Sequence, residues 1–130
     1  MSSSVAKTLG NLPWTVDAFN DLIVDAIQEI KGKNIVKIDL RNLKERPTDF
    51  FIICEGDSIV QVRAIAERIR TKVRDEAGRR PGHLEGGTNS VWILVDYFDV
   101  VVHIFHPEMR SFYQLEQLWG DGVFTEYPNP

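Results

Sequence analysis

The chain has 130 residues, of which 43% are hydrophobic, and a formal net charge of −4, so one hydrophobic core without cross-links is expected. Its acidic balance argues against strong non-specific binding to phosphate backbones, and little or no direct nucleic-acid binding is predicted. The single cysteine, Cys54, excludes an internal disulfide, and the sequence lacks the roughly 18 consecutive apolar residues of a membrane span, so a cytoplasmic protein without a membrane partner is predicted.

The N-terminal half predicts a leader, a helix and two strands. Residues 1–13 are small and polar, which predicts a flexible leader before a domain spanning 14–121. Apolar residues then recur at helical spacing over 15–31. The alternating pattern of residues 35–40 predicts a half-buried strand, and the continuous apolar run 50–54 predicts an inner strand covered on both faces.

The second predicted helix is bounded by residues that favour helix ends. Asp57 or Ser58 can cap its N-terminus, and Gly78 ends it. The turn-rich residues 79–90 follow, in which 82–85 can add a short edge strand. The order of elements up to this point already indicates strands alternating with helices.

Two apolar runs, 91–95 and 100–105, then predict a hairpin, and a helix with proline in its first turn follows over 107–119. The tail, 122–130, contains two prolines without periodicity and is predicted to be flexible. The order α-β-β-α-β-β-α predicts a single α/β domain, with a mixed sheet and helices packed on it.

The hairpin is predicted to have two different faces. If Tyr97 and Phe98 form the turn, Asp96 faces Asp99, and side chains alternate outward from this pair. One face is aliphatic and suits contact with helices: Val91, Ile93, Val95, Val100, Val102 and Ile104. The other, here called the mixed face, carries Trp92, Leu94, Asp96, Asp99, Val101, His103 and Phe105.

The two aspartates of the hairpin have two alternative interpretations. Asp96 and Asp99 repel each other if they face each other, so their carboxylates bind either the amides of the turn or a cationic partner.

Phe98 fits poorly in a two-residue turn, because such turns often need a positive φ that a bulky residue resists. Either the turn is of another type, or Phe98 tolerates strain in return for a contact.

The candidate catalytic residues do not form a recognisable catalytic motif in the sequence. His103 is either a packed histidine, a general base or a metal ligand, and packing is the default because no orienting group accompanies it. Gly56-Asp57-Ser58 resembles the turn of nucleotidyltransferases, but the acidic pair that should follow on the next strand is missing. Seven basic residues between 63 and 80 form either a solvated helix face or a nucleic-acid groove, and interleaved acids favour the first.

Three segments resemble the ribosomal silencing factor family, also called RsfS or Iojap. They are DLRNLKERPTDFFIICEGDS (39–58), VQVRAIAERI (60–69) and WILVDYFDVVVHIFHPEMRSFYQLEQLWGD (92–121). The resemblance covers roughly residues 16–121. It implies a domain similar to a degenerate nucleotidyltransferase fold, without catalysis, cofactor or metal, in a protein that represses translation under nutrient limitation.

The resemblance also implies a partner. It implies binding to ribosomal protein L-fourteen of the large ribosomal subunit, so that the small subunit cannot join. Family members usually have glycine at the position of Phe98 and often histidine at that of Gln61, so this chain departs from the family pattern at these two positions. The residues expected to bind the partner are Trp92, Asp96, Tyr97, Phe98, Asp99, Val101, His103, Tyr113, Leu118 and Trp119.

Two other functions remain possible from the sequence. One is a nucleotidyltransferase-like, nucleotide-binding enzyme that uses Gly56, Ser58 and nearby carboxylates. The other is a homodimer formed through a sheet edge or through the mixed face.

Overall fold

The structure, a computed structural model, describes residues 14–87 and 89–129 and consists of a mixed six-stranded sheet with helices on both faces. The predicted leader, 1–13, lies outside the described residues. The elements are α1 Val16–Glu29, β1 Lys33–Asp39, β2 Phe50–Glu55, α2 Ile59–Ala77, β3 His83–Glu85, β4 Trp92–Asp96, β5 Val100–Phe105, α3 Pro107–Tyr113, α4 Leu115–Leu118 and β6 Val123–Glu126.

The predicted mixed α/β fold is confirmed. The strands lie in the order β3-β4-β5-β2-β1-β6, in which β2 and β5 are parallel and all other neighbours are antiparallel. Every residue of β5 and all but the last of β2 are buried. The continuous apolar runs in the sequence therefore correspond to the two central strands, which are covered on both faces.

The two long helices begin and end where the sequence predicts. The Thr15 hydroxyl accepts a hydrogen bond from the amide of Ala18, and the Ser58 hydroxyl accepts one from the amide of Gln61. Gly78 ends α2 in the left-handed region, at φ 68°. These caps satisfy backbone groups that the helix itself leaves unpaired.

The sheet separates two hydrophobic layers. On one face α1 and α2 pack against side chains such as Ile52, Val95 and Val102. On the other face the short C-terminal helices pack against Phe51 and Phe105. We call the first the helix layer and the second the aromatic layer.

The register of the hairpin differs from the prediction by two residues. Asp96 pairs with Val101, and Trp92 pairs with Phe105 rather than with His103. The connection therefore contains three residues, 97–99, instead of two. A shift of two residues leaves every strand side chain on its predicted face, because the side-chain period of a strand is two.

Two predictions about the C-terminal part are wrong. The predicted helix 107–119 is broken at Gln114, which adopts φ 50° and separates α3 from α4. The tail 122–130, predicted to be flexible, contains β6, which pairs antiparallel with β1. Its pairing comes from backbone hydrogen bonds to an otherwise open sheet edge, which a side-chain pattern does not encode.

An ion-pair network fixes α3 and α4 against the sheet. The Arg110 guanidinium donates to the carboxylates of Glu55 and Glu116, at 3.0 and 2.9 Å, and to the carbonyl of Asn34. Only 10% of the Arg110 side chain is exposed, and 14% of that of Glu55. One planar fork therefore connects α3 with β2, α4 and the start of β1.

We expect Arg110→Met to lower the free energy of unfolding by about 3 kcal/mol, because it leaves the Glu55 carboxylate without its main cationic partner. Arg110→Lys is the matched control, because it keeps the positive charge but not the planar guanidinium group. It should lower the free energy of unfolding by less than Arg110→Met does. Chemical denaturation of the three proteins measures both effects. Equal stability of Arg110→Met and the native chain would show that the network does not hold these helices.

Candidate functional site

Three aromatic rings stack on the mixed face of the hairpin. The planes of Trp92 and His103 lie 12° apart, with centroids separated by 5.8 Å, and the Phe105 ring is nearly parallel to both. Phe51, on β2, meets His103 edge-on at 4.8 Å. Such offset and edge-to-face contacts are favourable for aromatic rings, so this group forms a rigid unit.

His103 lies beneath the surface. Its side chain is 4% exposed, and its Nδ1 accepts a hydrogen bond from Trp92 Nε1 at 3.2 Å. Burial lowers the pKa of His103 to about 4, so the ring is neutral at pH 7. Because Nδ1 accepts, Nε2 carries the proton, and this nitrogen has no hydrogen-bond partner among the described residues. This placement corrects the expectation that His103 touches a partner, since the ring instead orients Trp92.

Tyr97 also lies in the interior. It is 1% exposed, and its ring meets Phe19 edge-on at 5.6 Å within the helix layer. Burial raises the pKa of Tyr97 to about 12. This corrects the expectation that Tyr97 belongs to the partner-binding surface. The alternation of β4, continued by one residue beyond Asp96, would have placed Tyr97 on the helix side.

The two aspartates of the hairpin have separate roles. Asp96 accepts a hydrogen bond from the amide of Phe98 at 2.7 Å, which is the turn-serving role that the sequence left open. Asp99 forms an ion pair with Arg79 at 3.1 Å. The Arg79 guanidinium also donates to the Tyr97 carbonyl at 2.6 Å and lies over the ring of Phe19.

No sequence pattern singles out Arg79, which follows α2 and lies 20 positions before its partner Asp99. Its pairing with Asp99 means that the hairpin tip is attached to the helix layer by an internal cation. Of the two acids, Asp96 is therefore the better placed to meet a cationic partner, since Asp99 already has one.

Phe98 projects from the tip of the hairpin. Its φ is 79°, its side chain is 89% exposed, and the amide of Asp99 donates to the carbonyl of Tyr97 across it. This three-residue turn with a positive central φ is rare and strained. The Thr48 hydroxyl donates to the Phe98 carbonyl at 2.9 Å and holds the tip in place. The turn is therefore of another type than a two-residue hairpin turn, and Phe98 is strained in it. That this strain is tolerated in return for a contact stays a prediction.

The last helix contributes to the same face. Trp119 is half-buried, with its ring 6.0 Å from that of Phe51, whereas Leu118 beside it is 69% exposed. Val101 is buried in the aromatic layer. The side chain of Tyr113 lies outside the described part of the structure.

The structure leaves fewer of the predicted residues accessible and adds Leu94, which the predicted site did not include. Trp92, Leu94 and Asp96 alternate along β4 and are half-buried. Phe98, at the tip of the hairpin, and Leu118, beside Trp119 of the aromatic layer, are exposed. We call Trp92, Leu94, Asp96, Phe98 and Leu118 the docking face.

The Gly56-Asp57-Ser58 turn has a structural explanation. A Cβ at Gly56 would lie 2.8 Å from the amide nitrogen of Val62, so the close approach of the helix requires glycine here. Asp57 pairs with Lys33, and Ser58 caps α2. Among residues 14–87 and 89–129, no group of three or more His, Cys, Asp or Glu side chains is placed to hold a metal ion.

Cys54 lies in the interior of β2. Its side chain is fully buried in the helix layer, and burial raises the pKa of the thiol far above its usual value. A thiol that stays protonated is a poor nucleophile.

In the described part of the chain, no helix is both long and apolar enough to cross a membrane.

Several known proteins that are similar to this chain are named as ribosomal silencing factors. A family profile described as "Ribosomal silencing factor during starvation" matches residues 15–129. The "Ribosomal silencing factor RsfS" of Halalkalibacterium halodurans is 41% identical over 105 residues, which cover 81% of this chain and 88% of the relative. A mouse protein, "Mitochondrial assembly of ribosomal large subunit protein 1", is 28% identical over 101 residues, 76% of this chain and 44% of the relative.

The fold is also similar to solved structures. A crystal structure of a protein from Chromobacterium violaceum superimposes with a TM-score of 0.77 at 36% sequence identity. The match covers 82% of this chain and 88% of the other. At this identity the likeness extends to sequence as well as to fold.

We expect acid to destabilise the protein through His103. Its pKa is about 4 when folded and near 6.5 when unfolded, so the unfolded state binds more protons between these values. The free energy of unfolding should therefore fall, from this residue alone, by roughly 3 kcal/mol as the pH drops from about 6.5 to about 4. His103→Gln, which can still accept from Trp92 but does not titrate, should lack this part of the decrease. Parallel stability curves for the two proteins would contradict the assignment.

We expect Phe98→Gly to stabilise the fold by about 1 kcal/mol, because glycine adopts a positive φ without steric cost. Phe98→Ala is the matched control, since it removes the same exposed ring but keeps the Cβ atom. Thermal and chemical unfolding of both variants measures the difference. If the glycine variant is no more stable than the alanine variant, the turn is not strained.

Proposed function

The chain belongs to the ribosomal silencing factor family, and from this we propose that it binds the large ribosomal subunit through ribosomal protein L-fourteen and represses translation by preventing the small subunit from joining. The docking face supplies the contact. The proposed action occurs where ribosomes assemble, in the cytoplasm, and needs occupancy of a surface rather than a chemical reaction.

The observation that carries the proposal is the fixed orientation of the Trp92 ring. Its ring is half-buried, stacked on His103 and fixed by the hydrogen bond from its Nε1. A tryptophan held in one orientation loses little conformational entropy when a partner covers it. Tryptophan is also among the residues that contribute most to binding energy at protein interfaces.

Apolar and acidic neighbours complete the docking face. Leu94 lies two residues along β4, and Leu118 exposes 69% of its surface. Asp96 adds a negative charge at the edge, in a chain whose net charge is −4. Charges at the rim of an interface mainly accelerate association and set orientation. These features suit a basic protein with an apolar patch, as a ribosomal protein can provide.

The size of the domain supports a steric mechanism. A folded chain of this length has a radius of gyration of roughly 14 Å. A body of that size, bound where two subunits meet, keeps the facing surfaces apart. Blocking therefore requires only that the chain remain bound longer than the subunits take to encounter each other.

The names of two relatives support the proposal that the partner is the large ribosomal subunit. The mouse relative is named for assembly of the ribosomal large subunit, and the Halalkalibacterium halodurans relative is named as a ribosomal silencing factor. Binding to the large ribosomal subunit would be consistent with the names of both relatives.

We expect Leu118→Glu to weaken binding to isolated large subunits at least tenfold, because it places a charge in the apolar part of the docking face. Val60→Glu is the matched control, since Val60 lies on α2 and is 64% exposed, compared with 69% for Leu118. Co-sedimentation with large subunits measures binding, and light scattering of mixed subunits measures joining. The native chain and the Val60 variant should inhibit joining, and the Leu118 variant should not.

Two results would contradict this proposal. One is equal binding of both variants, which would place the contact elsewhere on the molecule. The other is tight binding of the native chain to large subunits from which L-fourteen has been omitted. Circular dichroism of each variant confirms that the fold is retained.

A further inference from the structure

A groove of about 560 Å³ lies between the C-terminal half of α2 and the edge strand β3. Its cationic lining consists of Arg70 and Arg74 from α2 and Arg80 from the following loop, and His83 of β3 also lines it. Glu67 is the one acidic residue in this described lining. The groove is therefore locally positive in a chain whose net charge is −4.

The ion pairs in and beside the groove are weak. Arg70 pairs with Glu67 at 3.2 Å and Arg74 with Asp75 at 3.1 Å, and about half of each side chain is exposed. Exposed pairs of this kind contribute little and exchange easily with other anions. Within the described residues, Arg80 makes no ion pair. Three guanidinium groups are thus available to a ligand at small cost.

The arrangement suits an extended anion rather than a single one. Arg70 and Arg74 lie one turn apart on α2, about 6 Å along its axis, and Arg63 extends the same helix face by two further turns. Guanidinium forks match the geometry of phosphate oxygens. The described lining contains no Phe, Tyr or Trp, the side chains on which bases stack.

We propose that this groove binds the phosphate backbone of a single RNA strand without reading its bases. The inference revises the sequence-based expectation of little nucleic-acid binding. That expectation averaged charge over the whole chain, whereas folding gathers Arg70, Arg74 and Arg80 around one groove whose described lining contains a single acid, Glu67. It adds a second surface and does not depend on the proposed ribosomal function.

The direct test is binding of the full chain to fluorescein-labelled oligouridylate, measured by fluorescence anisotropy at several salt concentrations. Three arginines that neutralise phosphates should give a slope of about −2 for the logarithm of the binding constant against that of salt. Arg70→Gln, Arg74→Gln and Arg80→Gln together should abolish this slope. Binding should then be roughly 100-fold weaker at about 0.1 M salt.

The matched control is Lys31→Gln, Lys33→Gln and Lys44→Gln, which removes the same charge from exposed residues outside the groove. This variant should bind RNA nearly as tightly as the native chain. Three results would overturn the inference: no binding by the native chain at low salt, equal losses in both triple variants, or binding of poly-glutamate as tight as that of RNA. Since oligouridylate contains no ribosomal protein, each result is independent of large-subunit binding.

Discussion

Burial of β5 on both faces is the constraint on which the rest of the molecule depends. Its alternate residues enter different layers, so Val102 packs among the helices while His103 enters the aromatic layer. A polar ring in such a strand is tolerated because Trp92 donates a hydrogen bond to it and aromatic rings surround it. The same contact orients the tryptophan at the surface, so one buried strand links core packing to the docking face.

Local patterns predicted the central elements because their cause is local. Both long helices show apolar periodicity between capping residues, and β2 is a continuous apolar run between polar loops. The hairpin register could not be predicted in this way, since alternation is unchanged by a shift of two residues. The turn decides the register, and the positive φ of Phe98 contradicts what its side chain favours. Likewise, no side-chain pattern marks β6, whose residues are all exposed.

The candidate site was predicted in part. Trp92 and Asp96 lie on the expected face, because alternation alone places them there. The depth of His103 was not predictable, since it depends on α3 and α4 covering the strand. The pairing of Asp99 with Arg79 joins residues 20 positions apart and depends on how α2 ends beside the hairpin. Sequence therefore identified the face, and tertiary contacts determined which of its members are accessible.

The distribution of the three tryptophans has an optical consequence. Trp92 and Trp119 belong to the aromatic layer, whereas Trp14 packs against the helices on the opposite side of the sheet. Indole emission responds to the polarity of its surroundings, so events on one side of the sheet change two emitters and leave the third as an internal reference. Replacing Trp14 with phenylalanine would leave a chain whose tryptophan fluorescence reports from the aromatic layer alone, without an added label.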